Sequence, residues 1–199
     1  MASSQRWIWL VRHGETAYST EGRHTGWLDI PLTRYGQRQA DRLKNVLAGK
    51  EFGLVMVSPL QRARETCRRA GFNGIAQVCE DLREWNYGDY EGRLVKEIRH
   101  DYPGWSIWQH GVPNGESIEQ VTERAQRVLE SVEKARGDVL LFAHGHLLRI
   151  LTSCWLDLPP REARRFALRP GSVSVLGQDN GHRAIRFWNW EPNLRSVQV

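Results

Sequence analysis

The tripeptide Arg12-His13-Gly14 combines three residue types that together can carry out phosphoryl chemistry. A histidine beside a permanently charged guanidinium tends to stay neutral, and a neutral imidazole is a nucleophile at pH 7. The guanidinium itself can hold a phosphate or a carboxylate with two hydrogen bonds. Glycine lets the backbone turn sharply or approach a ligand closely. The tripeptide indicates a histidine that attacks a phosphoryl group, although a structural histidine at a strand end fits these three residues as well.

Two further apolar segments end in polar residues in the same way. Residues 54–57 precede Ser58, and Arg62 follows in the next predicted helix. Residues 138–143 end in His144-Gly145, which open another helix. Because the carboxyl ends of parallel strands lie at one edge of a sheet, these side chains can converge although they are far apart in the sequence. Two histidines, two arginines and helix N-termini at one edge predict an anion site.

A polar and aromatic loop, residues 81–92, supplies the remaining group, Glu84. The loop is too polar for the core and too aromatic for a linker, so we interpret it as a wall of the site. In the predicted chemistry His13 attacks phosphorus and becomes a phosphohistidine, and Glu84 protonates the leaving oxygen and then activates water. Charge on the phosphoryl oxygens is neutralised by Arg12, Arg62, His144 and the Gly145 N–H. This mechanism requires no metal and no other cofactor.

Apolar runs alternate with amphipathic segments along the chain, which is typical of an α/β fold with a mostly parallel sheet. The runs predict strands at residues 7–11, 54–57, 75–79, 138–143, 172–176 and 184–190, the last two joined by a turn at Asp179-Asn180-Gly181. Thr33 predicts a helix start, as does Ser117 in a capping box with Gln120, and residues 18–30 are predicted to be a loop. No linker or repeat interrupts the pattern, so residues 1–199 form a single predicted domain.

The composition narrows the class of partner. The net charge is +5, and arginine supplies it, since only residues 44, 50, 96 and 134 are lysines. Arginine favours bidentate binding of phosphate, and no basic run with interleaved aromatic residues is present, so we predict a small phosphorylated metabolite and not nucleic acid as the partner. Three widely spaced cysteines, Cys67, Cys79 and Cys154, predict a reduced, cytoplasmic protein. No segment has the length and apolarity of a membrane helix or a signal peptide.

A metal site is the main alternative chemistry for the histidines. His144 and His146 together with His13 could bind zinc, but no carboxylate or cysteine set with familiar ligand spacing accompanies them, so we predict no metal. The histidines at positions 24, 100, 110 and 182 have no partner pattern and are predicted to be structural or on the surface. Among these four, we expect only His24 to line the pocket.

Four motifs resemble those of the histidine phosphatase superfamily in its phosphoglycerate-mutase-like branch. They are Arg12-His13-Gly14-Glu15-Thr16, the segment from Ser58 to Thr66, Leu82-Arg83-Glu84 and Ala143-His144-Gly145-His146, and the resemblance spans residues 7–177. It implies a three-layer α/β/α sandwich with His13 as the phosphorylated residue, Glu84 as the proton donor, and Arg12, Arg62 and His144 in the phosphate pocket. By position, it also implies that substrate is bound by Ser19, Thr25, Gly26 and Tyr87.

Within that family, the residues after Glu84 favour a phosphatase over a mutase. The segment Gly88-Asp89-Tyr90-Glu91-Gly92 resembles the phosphatase members, whereas the lysine and paired arginines with which mutases bind substrate are not found. Residues 82–92, 105–108 with Gly111, 114–116 and 142–149 are more narrowly similar to sugar phosphatases of the sedoheptulose-1,7-bisphosphatase type. We therefore predict a metal-independent phosphatase acting on a sugar phosphate or bisphosphate, with sedoheptulose 1,7-bisphosphate as one candidate.

Two alternatives stay open at this point: a 2,3-bisphosphoglycerate-dependent phosphoglycerate mutase, and a non-catalytic module that only binds phosphorylated ligands. A mutase must keep water from its phosphoenzyme, and the short segment 105–116 argues against a full lid. A binding module needs no proton donor, so the presence of Glu84 argues against it. The sequence leaves open the oligomeric state, a homo-oligomer included, and the role of the polar tail after Trp190.

Overall fold

The central sheet is mixed but mostly parallel. The computed structural model describes residues 6–192, and its strands are β1 (Ile8–Arg12), β2 (Leu54–Val57), β3 (Gln77–Val78), β4 (Val139–Ala143), β5 (Val173–Asp179) and β6 (His182–Trp190). They form one six-stranded sheet in the order β3-β2-β4-β1-β5-β6. The strands from β3 to β1 pair in parallel, whereas β5 pairs antiparallel with both β1 and β6. The predicted α/β fold with a mostly parallel sheet is confirmed.

Helices cover both faces of the sheet. Those of the described residues are α1 (Ala17–Glu21), α2 (Arg34–Leu47), α3 (Gln61–Arg69), α4 (Val95–Asp101), α5 (Ile107–His110), α6 (Ile118–Lys134) and α7 (Gly145–Trp155). Trp9 and Val11 of β1 share one core cluster with buried residues of α2 and α3. Ile8 and Leu10, which alternate with them, share the other cluster with α6 and α7. The predicted three-layer arrangement follows from this alternation.

Burial on both faces explains where the polar residues stand. All five residues of β4 are buried, as are the first four of β1. A strand covered on both faces must be apolar throughout, so a charged or polar side chain can appear only where the strand ends. The carboxyl ends of β1, β2 and β4 are therefore the positions at which Arg12, Ser58 and His144 become available for chemistry.

The predicted helix starts and the hairpin turn are confirmed. The Thr33 hydroxyl accepts the Gly36 N–H at 3.0 Å and caps α2. Ser117 and Gln120 form the capping box of α6, each side chain accepting the other's backbone N–H. β5 and β6 are joined at Asn180-Gly181, both with positive φ (48° and 82°), as a tight two-residue hairpin turn requires.

Two predicted elements differ from the structure, and a third prediction is not tested by it. Residues 18–30 are not entirely loop, because Thr16 and Ser19 form a capping box that starts α1. The strand predicted at residues 75–79 is reduced to the two residues of β3 at the sheet edge. Residues 193–199, most of the polar tail, lie outside the described residues. Among residues 6–192, no helix combines the length and apolarity that crossing a bilayer would need.

Candidate active site

The carboxyl ends of β1, β4 and β2 meet at one edge of the sheet. They carry His13, His144 and Ser58, and Arg62 lies in the first turn of α3 just after β2. The rings of His13 and His144 are 5.1 Å apart between centroids. A cavity of about 350 Å³ opens at this edge. The fold therefore brings together the strand-end residues that the sequence singled out.

His13 is held as a neutral imidazole with one free nitrogen. The residue is 4% exposed, and its Nδ1 lies 2.7 Å from the carbonyl oxygen of Gly14. Because a carbonyl only accepts, Nδ1 carries the proton and donates, which leaves a lone pair on Nε2. The pKa of His13 is held well below its usual 6.5, mainly by burial and to a lesser extent by the positive charges of Arg62 and Arg12. The sequence argument had named only Arg12.

The backbone at Gly14 is fixed from two sides. Its N–H donates to the Thr66 hydroxyl at 3.0 Å, and that hydroxyl donates to the Arg62 carbonyl at 2.7 Å. A Cβ atom at Gly14 would lie 2.4 Å from the carbonyl oxygen of Gly36, in the first turn of α2. Only glycine allows this approach. The contact ties the loop that orients His13 to both α2 and α3.

Arg12 and Arg62 are anchored by backbone carbonyls, and neither forms an ion pair among the described residues. Nη1 of Arg12 donates to the Leu168 carbonyl. Arg62, which is fully buried, donates to the carbonyls of Leu28 and Gly26 at 2.8 and 2.7 Å. Burial lowers the pKa of both guanidinium groups. The Nε atoms of both are buried and have no hydrogen-bond partner among residues 6–192.

His144 presents a third buried nitrogen without a partner. Its Nε2 lies 2.7 Å from the Ser58 hydroxyl, while its Nδ1 is buried and makes no hydrogen bond within the described part of the chain. Burial, with the charge of Arg62 as the next cause, holds the pKa of His144 well below 6.5. A neutral ring whose Nε2 accepts the serine proton carries its own proton on Nδ1. His144 then offers an N–H donor beside His13.

Glu84 is held by three backbone N–H groups. Oε1 accepts from Trp85 and Leu147, and Oε2 accepts from His146, each at 3.0 Å. The N–H groups of His146 and Leu147 belong to the first turn of α7, the helix N-terminus that the sequence analysis assigned to anion binding. Because the Glu84 carboxylate accepts from these two groups, only the Gly145 N–H of the three is left for substrate. Oε2 accepts only one N–H and keeps a position for a proton.

A buried ion pair positions the Glu84 loop. Arg124 of α6 contacts the Glu116 carboxylate with two hydrogen bonds of 2.7 and 2.8 Å, and the side chains are 11% and 15% exposed. The same guanidinium donates to the carbonyls of Asp81 and Arg83 at 2.8 and 3.0 Å. The sequence analysis missed Arg124. The sequence feature that could have revealed it is its position, since Arg124 is a charged residue on the otherwise apolar face of α6.

The four residues that the resemblance implied for substrate binding all line the cavity. The Ser19 hydroxyl takes part in the capping box of α1, accepting from and donating to the Thr16 backbone. Gly26 has a positive φ of 47° and its carbonyl accepts from Arg62. Thr25 contacts its own loop only weakly, at 3.5 Å. The structure places these residues at the site, and their roles toward substrate stay predictions.

The side of the cavity away from the sheet is aromatic. Tyr87 hydrogen-bonds through its hydroxyl to Nδ1 of His146, and burial raises the pKa of Tyr87 well above 10. His24 lines the cavity as expected, packing on Tyr87 at 4.6 Å between ring centroids, and burial lowers its pKa to about 4. Trp108 packs on His146 at 5.0 Å. Trp105 completes this wall.

Two arginines that the sequence analysis missed also line the cavity, Arg99 of α4 and Arg149 of α7. The signal for Arg149 was its spacing: it lies three residues after His146 and so on the same face of the helix. Arg99 had a weaker sequence signal, because α4 has only seven residues and so shows little helical periodicity from which its cavity-facing side could be predicted. Among the described residues, no group of three or more His, Cys, Asp or Glu side chains is arranged to hold a metal ion.

Comparison with known proteins agrees with this geometry. Residues 8–191 match the family model of the histidine phosphatase superfamily, branch 1. The chain belongs to this superfamily, and it is a phosphatase. A histidine phosphatase that is similar over most of the chain is the acid phosphatase of Mycobacterium tuberculosis, with 39% identity over 88% of each chain. The solved structure of the M. tuberculosis open reading frame Rv3214 covers 94% of this chain and 99% of its own, with a TM-score of 0.88 and 37% identity.

The narrower resemblance to sedoheptulose bisphosphatases needs correction. The sedoheptulose 1,7-bisphosphatase of Saccharomyces cerevisiae is 34% identical over 75% of this chain and 67% of its own, which is less than the mycobacterial acid phosphatase. The adenosylcobalamin/alpha-ribazole phosphatase of Escherichia coli is 30% identical over 92% of this histidine phosphatase and 95% of its own chain. Phosphatases with three different names are therefore similar to this chain over most of its length, and the motifs do not single out one of them.

Proposed function

We propose that this histidine phosphatase is a metal-independent phosphomonoesterase that hydrolyses small phosphorylated metabolites through a phosphohistidine on His13. Arg12, Arg62, His144 and the Gly145 N–H hold the phosphoryl group, and Glu84 transfers the proton. A sugar phosphate or sugar bisphosphate is the substrate class that we put first, and sedoheptulose 1,7-bisphosphate is one member of it.

One observation carries the proposal. Three buried nitrogens without a hydrogen-bond partner among the described residues lie in the residues next to the His13 ring: Nε of Arg12, Nε of Arg62 and Nδ1 of His144. Buried polar atoms in folded proteins nearly always have partners, and leaving one unpaired costs about 1–3 kcal/mol. Three such donors around one nucleophile are best explained by a ligand with several acceptor oxygens. A phosphoryl group has three equatorial oxygens and the matching negative charge.

The first step transfers the phosphoryl group to His13. The Nε2 lone pair forms the N–P bond in line with the breaking P–O bond, and the proton on Nδ1 stays hydrogen-bonded to the Gly14 carbonyl. The leaving oxygen takes a proton from Glu84 Oε2, the carboxyl oxygen that accepts only one N–H. Each donor that stabilises the equatorial oxygens contributes about 3–4 kcal/mol to lowering the barrier.

The second step hydrolyses the phosphohistidine. Glu84, now a carboxylate, accepts a proton from water as its oxygen attacks phosphorus, and the N–P bond breaks to restore the neutral imidazole. The backbone N–H groups of His146 and Leu147 keep the carboxylate in place in both steps. No step requires a metal, because the two buried guanidinium groups carry the positive charge.

The substrate class rests on the relatives and on the cavity wall. The names of the yeast and E. coli relatives refer to sedoheptulose 1,7-bisphosphate and to alpha-ribazole compounds. The outer wall of this cavity combines tryptophan faces with neutral histidines. Aromatic faces with neutral hydrogen-bonding groups suit a leaving group that carries hydroxyls.

A product assay with EDTA present tests the proposal. The panel contains sedoheptulose 1,7-bisphosphate, fructose 1,6-bisphosphate, sugar monophosphates, and 3-phosphoglycerate with and without 2,3-bisphosphoglycerate. We expect free phosphate from a sugar ester, and a loss of about a thousandfold or more in the His13→Ala variant. Conversion of 3- to 2-phosphoglycerate with little free phosphate would establish a mutase instead. The mechanism would be refuted if His13→Ala kept full activity. It would also be refuted if EDTA abolished the activity of the wild-type protein.

A further inference from the structure

The charges that line the cavity are out of balance. Five arginines line it, at positions 12, 23, 62, 99 and 149, and the one acidic residue among its described lining residues is Glu84. Glu84 is already occupied by three backbone N–H groups. Arg23 is paired with Glu21 at 2.5 Å. A substrate phosphate of charge about −2 offsets only Arg12 and Arg62, so two guanidinium groups remain without a counter-charge.

These two guanidinium groups belong to Arg99 and Arg149, and Arg149 is the one held more firmly against the cavity wall. Its Nε and Nη2 donate to the carbonyls of Ala163 and Arg164 at 3.0 and 2.9 Å, and its guanidinium stacks over the Trp108 ring at 4.7 Å. These contacts fix the group against the cavity wall. Its Nη1 makes no hydrogen bond among the described residues and is not buried. Burial lowers the pKa of Arg149, as expected for a cation that has lost water without gaining a carboxylate.

Arg99 lies at the same wall and is exposed. Its Nε donates to the Trp105 carbonyl at 2.9 Å, and neither of its terminal nitrogens has a partner among residues 6–192. Some partly buried arginines elsewhere in the described chain have carboxylates, as Arg69 has Asp41 and Arg124 has Glu116, whereas Arg6 has only backbone carbonyls. What distinguishes Arg99 and Arg149 is that two guanidinium groups without a carboxylate partner among the described residues line the same cavity as the proposed phosphate site.

We propose that Arg149 and Arg99 form a second anion site on the aromatic side of the cavity, so that the substrate is a phosphate ester with a further anionic group, a second phosphate or a carboxylate. This inference rests on the proposed function for the position of the reacting phosphate. Trp105 and Trp108 hold the two guanidinium groups, and each can bind oxygens of the second group with charge-assisted hydrogen bonds. The reaction that supplies this substrate must produce a doubly anionic ester, and the product keeps one anionic group.

Binding of matched ligands tests the second site without relying on turnover. Calorimetry on the full-length His13→Ala protein measures Kd for two pairs: fructose 6-phosphate against fructose 1,6-bisphosphate, and glycerol 3-phosphate against 3-phosphoglycerate. We expect the doubly anionic member of at least one pair to bind about tenfold more tightly, the effect of one or two charge-assisted hydrogen bonds. The preference should shrink as salt is raised.

Substitution of the exposed arginine locates the effect. In the same background, Arg99→Gln should reduce the preference about fivefold or more, and Arg99→Lys should retain part of it. Arg136→Gln, an exposed arginine outside the cavity, is the matched control and should change nothing. Equal weakening of both members of a pair would mean that Arg99 acts only through Trp105. That result would overturn the proposal. It would also be overturned if the doubly anionic ligand bound no more tightly in either pair, or if its tighter binding survived Arg99→Gln.

The outcomes of the two proposals can be told apart. If His13→Ala still releases phosphate from the ligands, the proposed phosphohistidine mechanism fails, whatever the Arg99 result. If His13→Ala is inactive but the doubly anionic ligands bind no better, the mechanism stands and the second anion site does not exist. Arg149→Gln serves only as a supporting variant, because its contacts to Ala163 and Arg164 also hold the backbone.

Discussion

The ion pair between Arg124 and Glu116 offers a sharp test of how the Glu84 loop is held. In Arg124→Met the side-chain volume is nearly kept, but the Glu116 carboxylate loses both charge-assisted hydrogen bonds and retains only the Asn86 N–H at 2.8 Å. The carbonyls of Asp81 and Arg83 lose a donor as well. Removing one partner of a buried ion pair costs about 3–5 kcal/mol, and exposures of 11% and 15% place this pair near the lower value.

We therefore expect Arg124→Met to lower the free energy of unfolding by about 3 kcal/mol, a large share of the 5–15 kcal/mol of a typical domain. Urea unfolding followed by tryptophan fluorescence measures it. Arg127→Met is the matched control on the same helix, since its pair with Asp81 is 51% and 29% exposed and is worth about 0–1 kcal/mol.

The same variant should affect catalysis, because the clamped carbonyls belong to the residues around Glu84. We expect kcat to fall about tenfold with KM less affected, since proton transfer depends on the position of the carboxyl group and ground-state binding does not. If Arg124→Met and Arg127→Met unfold at the same urea concentration and have the same kcat, the clamp is not what positions this loop.

Two further predictions concern acid and packing. Because the folded-state pKa of His24 is about 4 and its usual value is 6.5, the unfolded chain binds more protons between these values, so the His24 contribution to stability should be constant above pH 6.5 and fall below it by up to about 1.4 kcal/mol per pH unit. His13 and His144, whose pKa values are also lowered, add to this fall. Urea midpoints at pH 7 and 5 check this, and His24→Gln should make the loss of stability between these pH values smaller than in the wild type. Gly14→Ala places a Cβ 2.4 Å from the Gly36 carbonyl, so we expect a loss of about 1–3 kcal/mol and lower kcat. Wild-type stability and kcat in Gly14→Ala would contradict the contact.

The parts of the fold that the sequence predicted well are those fixed by local chemistry. The fully buried strands required unbroken apolar runs, so β1, β2 and β4 were recognisable, and with them the polar residues at their ends. The caps at Thr33 and Ser117 involve neighbours three residues away and were equally visible. The prediction of a full strand at residues 75–79 was wrong. β3 is an edge strand that pairs with one neighbour only, so tertiary contacts and not local sequence decide how far the strand extends.

The candidate site was predictable at its inner half and not at its outer half. His13, Arg62 and His144 follow from strand order, which any parallel α/β sheet imposes. Arg99 could not be placed, since its approach to the cavity depends on the path of the 84–111 segment through turns and short helices, whereas the spacing of Arg149 from His146 on α7 was a usable signal that the sequence analysis overlooked. Arg124 was missed for another reason: its partners are the carboxylate of Glu116 and the backbone carbonyls of Asp81 and Arg83, a combination that no sequence motif displays.

The position of β1 in the sheet has a consequence for how the protein is made. Of the six strands of the sheet, β1 is synthesised first, yet its two neighbours, β4 and β5, begin only at Val139 and Val173. At about 5–20 residues per second, roughly ten seconds pass during which a strand whose first four residues are apolar has no partner. The nascent chain therefore exposes an aggregation-prone segment, and the reactive histidine next to it cannot assume its neutral, oriented state until most of the polypeptide exists.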